Sequence, residues 1–223
     1  MIFWVETPAR FTRGAISHLS KLKILKKEVL IVKIIGGKYK GRNFYMPASV
    51  RPTQNITRKA LFDILGQDMD GIEFLELFAG SGAVGLEAMS RGAKKVIFVE
   101  HDPKCADVIT QNLQLLLGAS PRDDGFSYEL VEGDSFAHIK MFARQKKKFD
   151  LIFLDPPYGL ELGKKALKTL GAYDILHPNC VVVIEHGADE ILPKIEGNLL
   201  RFEQRKYGKT FLSIYKQQEN LIP

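Results

Sequence analysis

The chain has 223 residues, 45% hydrophobic and 26% charged, with two cysteines and a net charge of +6. That length gives one or two domains with enough chain to bury a core, and excludes an acidic disordered chain, a disulfide scaffold and a multi-cysteine zinc site. No apolar run reaches the roughly 20 residues of a membrane helix, and Met1-Ile2-Phe3-Trp4-Val5 is too short for a secretion signal, so a soluble, cytoplasmic protein without a membrane partner is expected.

Residues 1–31 show no clean period and form a basic extension, with six basic and two acidic side chains. Residues 28–35 read as a strand that ends at Gly36-Gly37, and 42–46 return antiparallel. Pro47 and Pro52 mark a loop, and a helix runs from Thr53 or Asn55 to about Leu65, where Gly66 closes it. This hairpin and helix, residues 32–66, form a separate unit ahead of the repeating part of the chain. Residues 67–223 then alternate strand and helix. Strands are predicted at Phe74–Phe78, Lys95–Val99, Ser127–Val131, Phe149–Leu154 and Cys180–Ile184, with helices at Ala83–Ser90, Pro103–Leu117, Ser135–Lys146 and Leu162–Leu170. An antiparallel pair, 199–206 with 210–216, closes the chain around Gly208. Repeated βα units imply a doubly wound, mostly parallel α/β sheet, here of seven strands, with the hairpin and helix as an N-terminal extension.

The first strand of that sheet runs into Ala79-Gly80-Ser81-Gly82-Ala83-Val84-Gly85. Gly80, Gly82 and Gly85 match the dinucleotide fingerprint G-x-G-x-x-G in a strand–turn–helix context. Glu100 follows twenty residues after Gly80, at the next strand end, where a carboxylate can hold two ribose hydroxyls. NAD and S-adenosylmethionine both offer a ribose and an adenine. Glu76, close to the turn, favours the second, because a carboxylate repels a pyrophosphate and attracts a sulfonium or an ammonium.

The fourth strand of the sheet ends in Asp155-Pro156-Pro157-Tyr158, which should lie beside the glycine loop. An exocyclic amino nitrogen gains positive charge as it attacks a methyl carbon. The Asp155 carboxylate and the Pro156 carbonyl can accept its two N–H bonds and stabilise that charge. Pro156 and Pro157 fix the backbone, and Tyr158 offers a face on which a base stacks.

These segments resemble the class I S-adenosylmethionine-dependent amino-methyltransferases, and more closely the bacterial 16S ribosomal RNA guanine-N2 methyltransferase family. The likeness covers roughly residues 32–217. It rests on Ile34-Ile35-Gly36-Gly37-Lys38-Tyr39-Lys40-Gly41-Arg42, on Arg51-Pro52-Thr53 through Arg58-Lys59-Ala60-Leu61-Phe62, on the glycine loop, on Phe153–Tyr158, and on Tyr207-Gly208-Lys209-Thr210. The resemblance implies an enzyme that uses S-adenosyl-L-methionine to methylate the exocyclic N2 of a guanine in 16S ribosomal RNA or a small-subunit assembly intermediate. It implies that Glu76, Phe78, Gly80 and Gly82 contact the methionine part, that Glu100 takes the ribose and Asp134 the adenine amino group, and that Asp155, Pro156, Pro157 and Tyr158 handle the guanine. Asp134 also suits a helix N-cap. A monomer without a metal is expected. The segment after Thr53 departs from the family pattern in reading Gln-Asn-Ile-Thr, and the family usually begins near Val32.

Charge bears on the RNA. Residues 1–65 hold 13 Lys and Arg against 3 Asp and Glu, while the remainder hold 19 against 23. Lys38, Lys40, Arg42, Arg51 and Arg58 are therefore assigned to phosphates, with Tyr39 as a stacking ring. Arg51 and Arg58 could instead brace their helix against the catalytic turn. Arg144-Gln145-Lys146-Lys147-Lys148 is the next candidate surface. Other readings are an amino-methyltransferase acting on adenine in DNA, a nicotinamide oxidoreductase, and a silent RNA-binding module in ribosome assembly.

Overall fold

A computed structural model describes residues 29–47, 55–118 and 126–218. Strands β1 (Val29–Lys33) and β2 (Asn43–Pro47) pair antiparallel as a separate hairpin, followed by helix α1 (Asn55–Leu65). The main sheet then builds from β3 (Glu73–Leu77), β4 (Lys95–Glu100), β5 (Ser127–Glu132), β6 (Phe149–Leu154), β7 (Leu176–Gly187), β8 (Ile195–Glu196), β9 (Leu199–Tyr207) and β10 (Thr210–Gln217). Helices α2 (Ala83–Ser90), α3 (Pro103–Leu117), α4 (Ser135–Arg144) and α5 (Leu162–Ala172) connect its parallel part.

The sheet order is β5-β4-β3-β6-β7-β10-β9-β8. The first five strands in that order are parallel and the last three antiparallel. This is the expected doubly wound sheet, with eight strands rather than seven. The extra strand, β8, has two residues, too few to carry a period that a sequence pattern could reveal. β7 also extends beyond the predicted Cys180–Ile184 at both ends. α4 stops at Arg144, two residues early, because Lys146 takes a left-handed φ of 57°.

β3 and β4 are buried almost throughout, as strands covered by helices on both faces must be. Phe74, Val84, Phe98, Phe153 and Val183 form the core on one face, and Leu75, Ile97, Ile152, Val182 and Tyr215 the core on the other. Ile34, Tyr39, Phe44 and Met46 of the hairpin segment join the first of these cores with Leu61 and Phe62 of α1. The chain leaves β3 toward β4 and β5 on one side and returns to β6 on the other. Ligands in such sheets bind where the order reverses, outside the carboxyl ends of the strands.

Among the described residues no helix is long and apolar enough to cross a membrane.

Candidate active site

At the reversal point lies a cleft of about 770 Å³. Its walls come from the ends of β3, β4, β6 and β7, from the starts of α2, α3, α4 and α5, and from Met46 of the hairpin. It brings together Glu76, Phe78, Gly80, Glu100 and Asp134 with Asp155, Pro156, Pro157 and Tyr158.

The glycine loop takes its shape from backbone geometry that few side chains allow. Phe78 has φ 57°, Gly80 φ 57° and Gly82 φ 71°, so the chain turns sharply three times as it leaves β3. Phe78 is the non-glycine in that series. Its N–H donates to Ser135 Oγ at 3.3 Å, and its ring meets Phe136 edge-on at 5.8 Å. Gly82 sits in the turn between the cleft residues Ser81 and Ala83. A Cβ there would press on Phe98 at 3.1 Å, and one at Gly85 would fall 2.6 Å from Glu76 Oε2. The latter would also press on the Phe98 ring, so Gly85 permits the close approach of α2 to β3 and β4.

Two carboxylates hold this loop. Glu100 Oε2 accepts from Gly80 N–H at 2.6 Å, and Oε1 accepts from Asp102 N–H at 2.8 Å. Glu76, 2% exposed, accepts from Val84 N–H at 3.3 Å and Gly85 N–H at 2.8 Å, at the positive end of α2. Burial pushes Glu76 up to about 8, the two backbone hydrogen bonds pull it back, and the negative charges of Asp155 and Glu100 add to the rise. A third carboxylate, Asp134, caps α4 by accepting from Ala137 N–H at 2.8 Å while it lines the cleft. The two readings of Asp134 are thus compatible in one residue.

Opposite the loop, Asp155-Pro156-Pro157-Tyr158 follows the last residue of β6. Pro156 is buried, Pro157 exposed, and Asp155 and Tyr158 are half-buried. The Tyr158 hydroxyl lies 3.3 Å from Glu185 Oε1 and 3.3 Å from Thr210 Oγ1.

Several cleft residues escaped the sequence reading. Glu185 is 4% exposed at the far end of β7, one residue past where that strand was predicted to stop. Lys165 of α5 stands over the Phe136 ring at 4.0 Å from its centroid, and Cys105 lies at the start of α3. Burial, with the charges of Glu100 and Asp102, pushes the Cys105 thiol up to about 12, which disfavours the thiolate. Apart from these, His101 lines the cleft beside Glu100.

The predicted RNA contacts divide. Lys38, Lys40 and Arg42 are exposed in the turn between β1 and β2. That turn is pinned to the last residue of α2: Lys38 N–H donates to Ser90 O at 2.6 Å and Tyr39 N–H to Ser90 Oγ at 2.9 Å. It stands at the opposite end of an eight-residue helix from the glycine loop, about 12 Å away. Tyr39 is 4% exposed and so is not a stacking platform; Lys38 and Arg42 cover its ring instead. Arg58 is also a correction. It is 0% exposed, donates from Nη2 to Lys33 O at 2.6 Å and lies 3.5 Å from Glu87. No phosphate reaches such a side chain; Arg58 braces its helix, but against β1 and Glu87 of α2 rather than against the catalytic turn. Arg51 falls outside the described residues. In the run after α4, Lys147 pairs with Glu129 at 2.9 Å and Lys148 pairs with Asp174.

A sheet wound in this order, open at this point, is that of a class I methyltransferase fold. Comparison with known proteins carries the assignment further. The family model described as conserved hypothetical protein 95 matches residues 32–216, and the chain belongs to that family. YlbH of Bacillus subtilis is 33% identical over 189 residues, covering 84% of this chain and all of that protein. Ribosomal RNA small subunit methyltransferase D of Haemophilus influenzae is 35% identical over 163 residues, covering 72% of this chain and 81% of that one. A solved methylase structure from the same organism is 31% identical with a TM-score of 0.69, covering 85% of this chain and 100% of its own.

Proposed function

We propose that this chain transfers a methyl group from S-adenosyl-L-methionine to the exocyclic N2 of a guanine in 16S ribosomal RNA. The observation that carries the reading is the meeting of Asp155-Pro156-Pro157-Tyr158 and the glycine loop in one cleft. The name of the Haemophilus relative, a small subunit ribosomal RNA methyltransferase, supports the substrate.

The donor set fits this cofactor better than a dinucleotide. Glu76, Glu100 and Asp155 are close enough for the last two to raise the Glu76 carboxyl. With Glu76 shifted toward its neutral form, the Glu100 carboxylate at the loop still favours a cationic sulfonium and ammonium over a pyrophosphate. Glu100 keeps lone pairs beyond its two backbone bonds for ribose hydroxyls. Gly80 and Phe78 would border the methionine part, and Asp134 the adenine amino group. When bound, the cofactor supplies an electrophilic methyl carbon. The Asp155 carboxylate and the Pro156 carbonyl accept the two N–H bonds of the target amine and aim its lone pair. As the nitrogen gains positive charge, Asp155 stabilises it, and once the N–CH3 bond has formed the Asp155 carboxylate takes the proton that the nitrogen loses and passes it to solvent. Tyr158, its hydroxyl tied to Glu185 and Thr210, presents its ring to the base. A guanine amine in a duplex is poorly exposed, so the base enters unpaired or flipped.

Small ribosomal subunits from cells lacking this protein, incubated with the chain and methyl-labelled cofactor, test the reading. Digestion and mass spectrometry should find label in N2-methylguanosine of the 16S RNA. Label in N6-methyladenosine, or in no nucleoside, overturns it.

A further inference from the structure

We infer that Glu185 reads the N1–H of the target guanine, and thereby sets the choice of guanine over adenine; the inference rests on the function proposed above.

The sheet register is the first observation. β6 and β7 are parallel neighbours, with Phe153 opposite Val183 and Leu154 opposite Ile184. Asp155 is the first residue past the end of β6, and Glu185 is the next residue of β7. The paired strands, about 4.8 Å apart, deliver the two residues to the same end of the sheet. Both residues accordingly line the cleft, and Glu185 is 4% exposed there.

Base chemistry is the second. The Watson–Crick edge of guanine presents two adjacent donors, the N2 amine and N1–H. Adenine presents its amine beside a bare N1 lone pair. Ionised carboxylates only accept hydrogen bonds. Two of them side by side match a donor–donor edge: Asp155 takes the amine that reacts, and Glu185 takes the N1–H next to it. Against adenine, the second carboxylate would face a lone pair. Sites built to hydrogen-bond one substrate group reject the analogue lacking it far more strongly than apolar pockets discriminate.

The third is orientation. Tyr158 bonds Glu185 Oε1 at 3.3 Å, so the ring on which the base stacks and the carboxylate that reads its edge are fixed to each other. Thr210 of β10 braces the same hydroxyl at 3.3 Å. Glu185 could serve Tyr158 alone, and the experiment separates the two roles.

The target nucleotide is first mapped with the wild-type chain. Small subunits are then reconstituted with ligated RNA carrying guanine or 2-aminopurine at that position. 2-Aminopurine keeps the reacting amine but has a bare N1. Wild type should favour guanine by about 100-fold or more in kcat/KM. Glu185→Gln should lose about 30-fold or more on guanine and narrow the preference below tenfold, because its amide can donate to the bare N1. Binding of S-adenosylhomocysteine should stay within twofold. A variant that loses rate on both RNAs equally, with the preference intact, assigns Glu185 to Tyr158 alone and overturns the inference. So does a wild type that methylates both RNAs within fivefold, a measurement that needs no variant to fold. If wild type forms no N2-methylguanosine, the proposed function itself fails, which is a different result from N2-methylguanosine formed without selectivity at N1.

Discussion

Glu87 is the residue whose removal the structure answers most sharply. Its Oε1 accepts from Arg91 Nε at 3.2 Å and Nη2 at 2.9 Å, and its Oε2 accepts from Ile35 N–H at 3.0 Å and faces Arg58 Nε at 3.5 Å. Glu87 and Arg58 side chains are both 0% exposed, and Arg91 is 4% exposed. Burial lowers Arg58 from its usual value, and Glu87 is the largest influence restoring it. Glu87→Ala would leave two buried guanidiniums without this carboxylate and one backbone N–H without its acceptor. Removing one partner of a buried ion pair costs about 3–5 kcal/mol. At roughly 2–4 °C of melting temperature per kcal/mol for a chain of this size, the expected fall is about 6–20 °C. Circular dichroism melts and urea titrations measure it. A loss under about 1 kcal/mol would refute the reasoning, since it would mean that water or rearrangement reaches these charges. Glu87→Gln, which keeps an acceptor but no charge, should fall between the two.

Four further outcomes are expected. Asp155→Ala should keep cofactor affinity nearly intact and lower turnover on RNA by about 10²–10³, read by single-turnover kinetics; a drop under threefold would remove its proposed role. Because the folded Glu76 carboxyl sits at about 8 against an ordinary 4.5, its contribution is full below pH 4.5 and is lost as pH rises through 8. Urea midpoints should therefore fall from pH 5 to pH 9 by an amount that Glu76→Gln reduces, and parallel slopes in the two proteins would contradict this. Neutralising Lys38, Lys40 and Arg42 together should weaken RNA binding and flatten its log–log salt dependence by roughly 0.7 for each phosphate no longer neutralised, without changing cofactor affinity; an unaltered slope puts the RNA elsewhere. Gly85→Ala should destabilise by about 1–3 kcal/mol in a thermal melt, since its methyl would press on the Phe98 ring of β4 and meet Glu76 Oε2 at 2.6 Å; a neutral substitution would mean that α2 can shift away from β3 and β4.

Much of the cleft was legible in the sequence because its signals are local. Gly80, Gly82 and Gly85 advertise a turn and a close packing within six residues, and Asp155-Pro156-Pro157-Tyr158 is contiguous. Asp134 was legible twice over, as a cap and as a cleft wall. Glu185 was not. Its place beside Asp155 follows from the pairing of β6 with β7, thirty residues apart in the chain, and no local pattern encodes a register. Arg58 misled for the opposite reason. A cationic letter in a basic segment looks like surface, whereas the acid that buries it, Glu87, belongs to a helix well downstream. Tyr39 failed likewise, as its burial depends on Ser90 holding the turn.

The same long reach fixes the order in which the molecule can be completed. The hairpin leaves the ribosome before the sheet, yet what fastens it is synthesised later. Ile35 waits 52 residues for Glu87, Gly36 waits 54 for Ser90 Oγ, and Tyr45 waits 67 for Asn112. Asn112, 0% exposed, takes the Tyr45 N–H at 2.7 Å and returns bonds to the carbonyls of Tyr45 at 2.8 Å and Ser81 at 3.1 Å. One amide thus latches the hairpin to the glycine loop. During translation the hairpin is an unsupported two-stranded ribbon, marginal by itself, until α3 has emerged. At about 5–20 residues per second that interval lasts several seconds. Phe44 and Met46, each 1% exposed once docked, are apolar surface that the nascent chain must carry uncovered for that time.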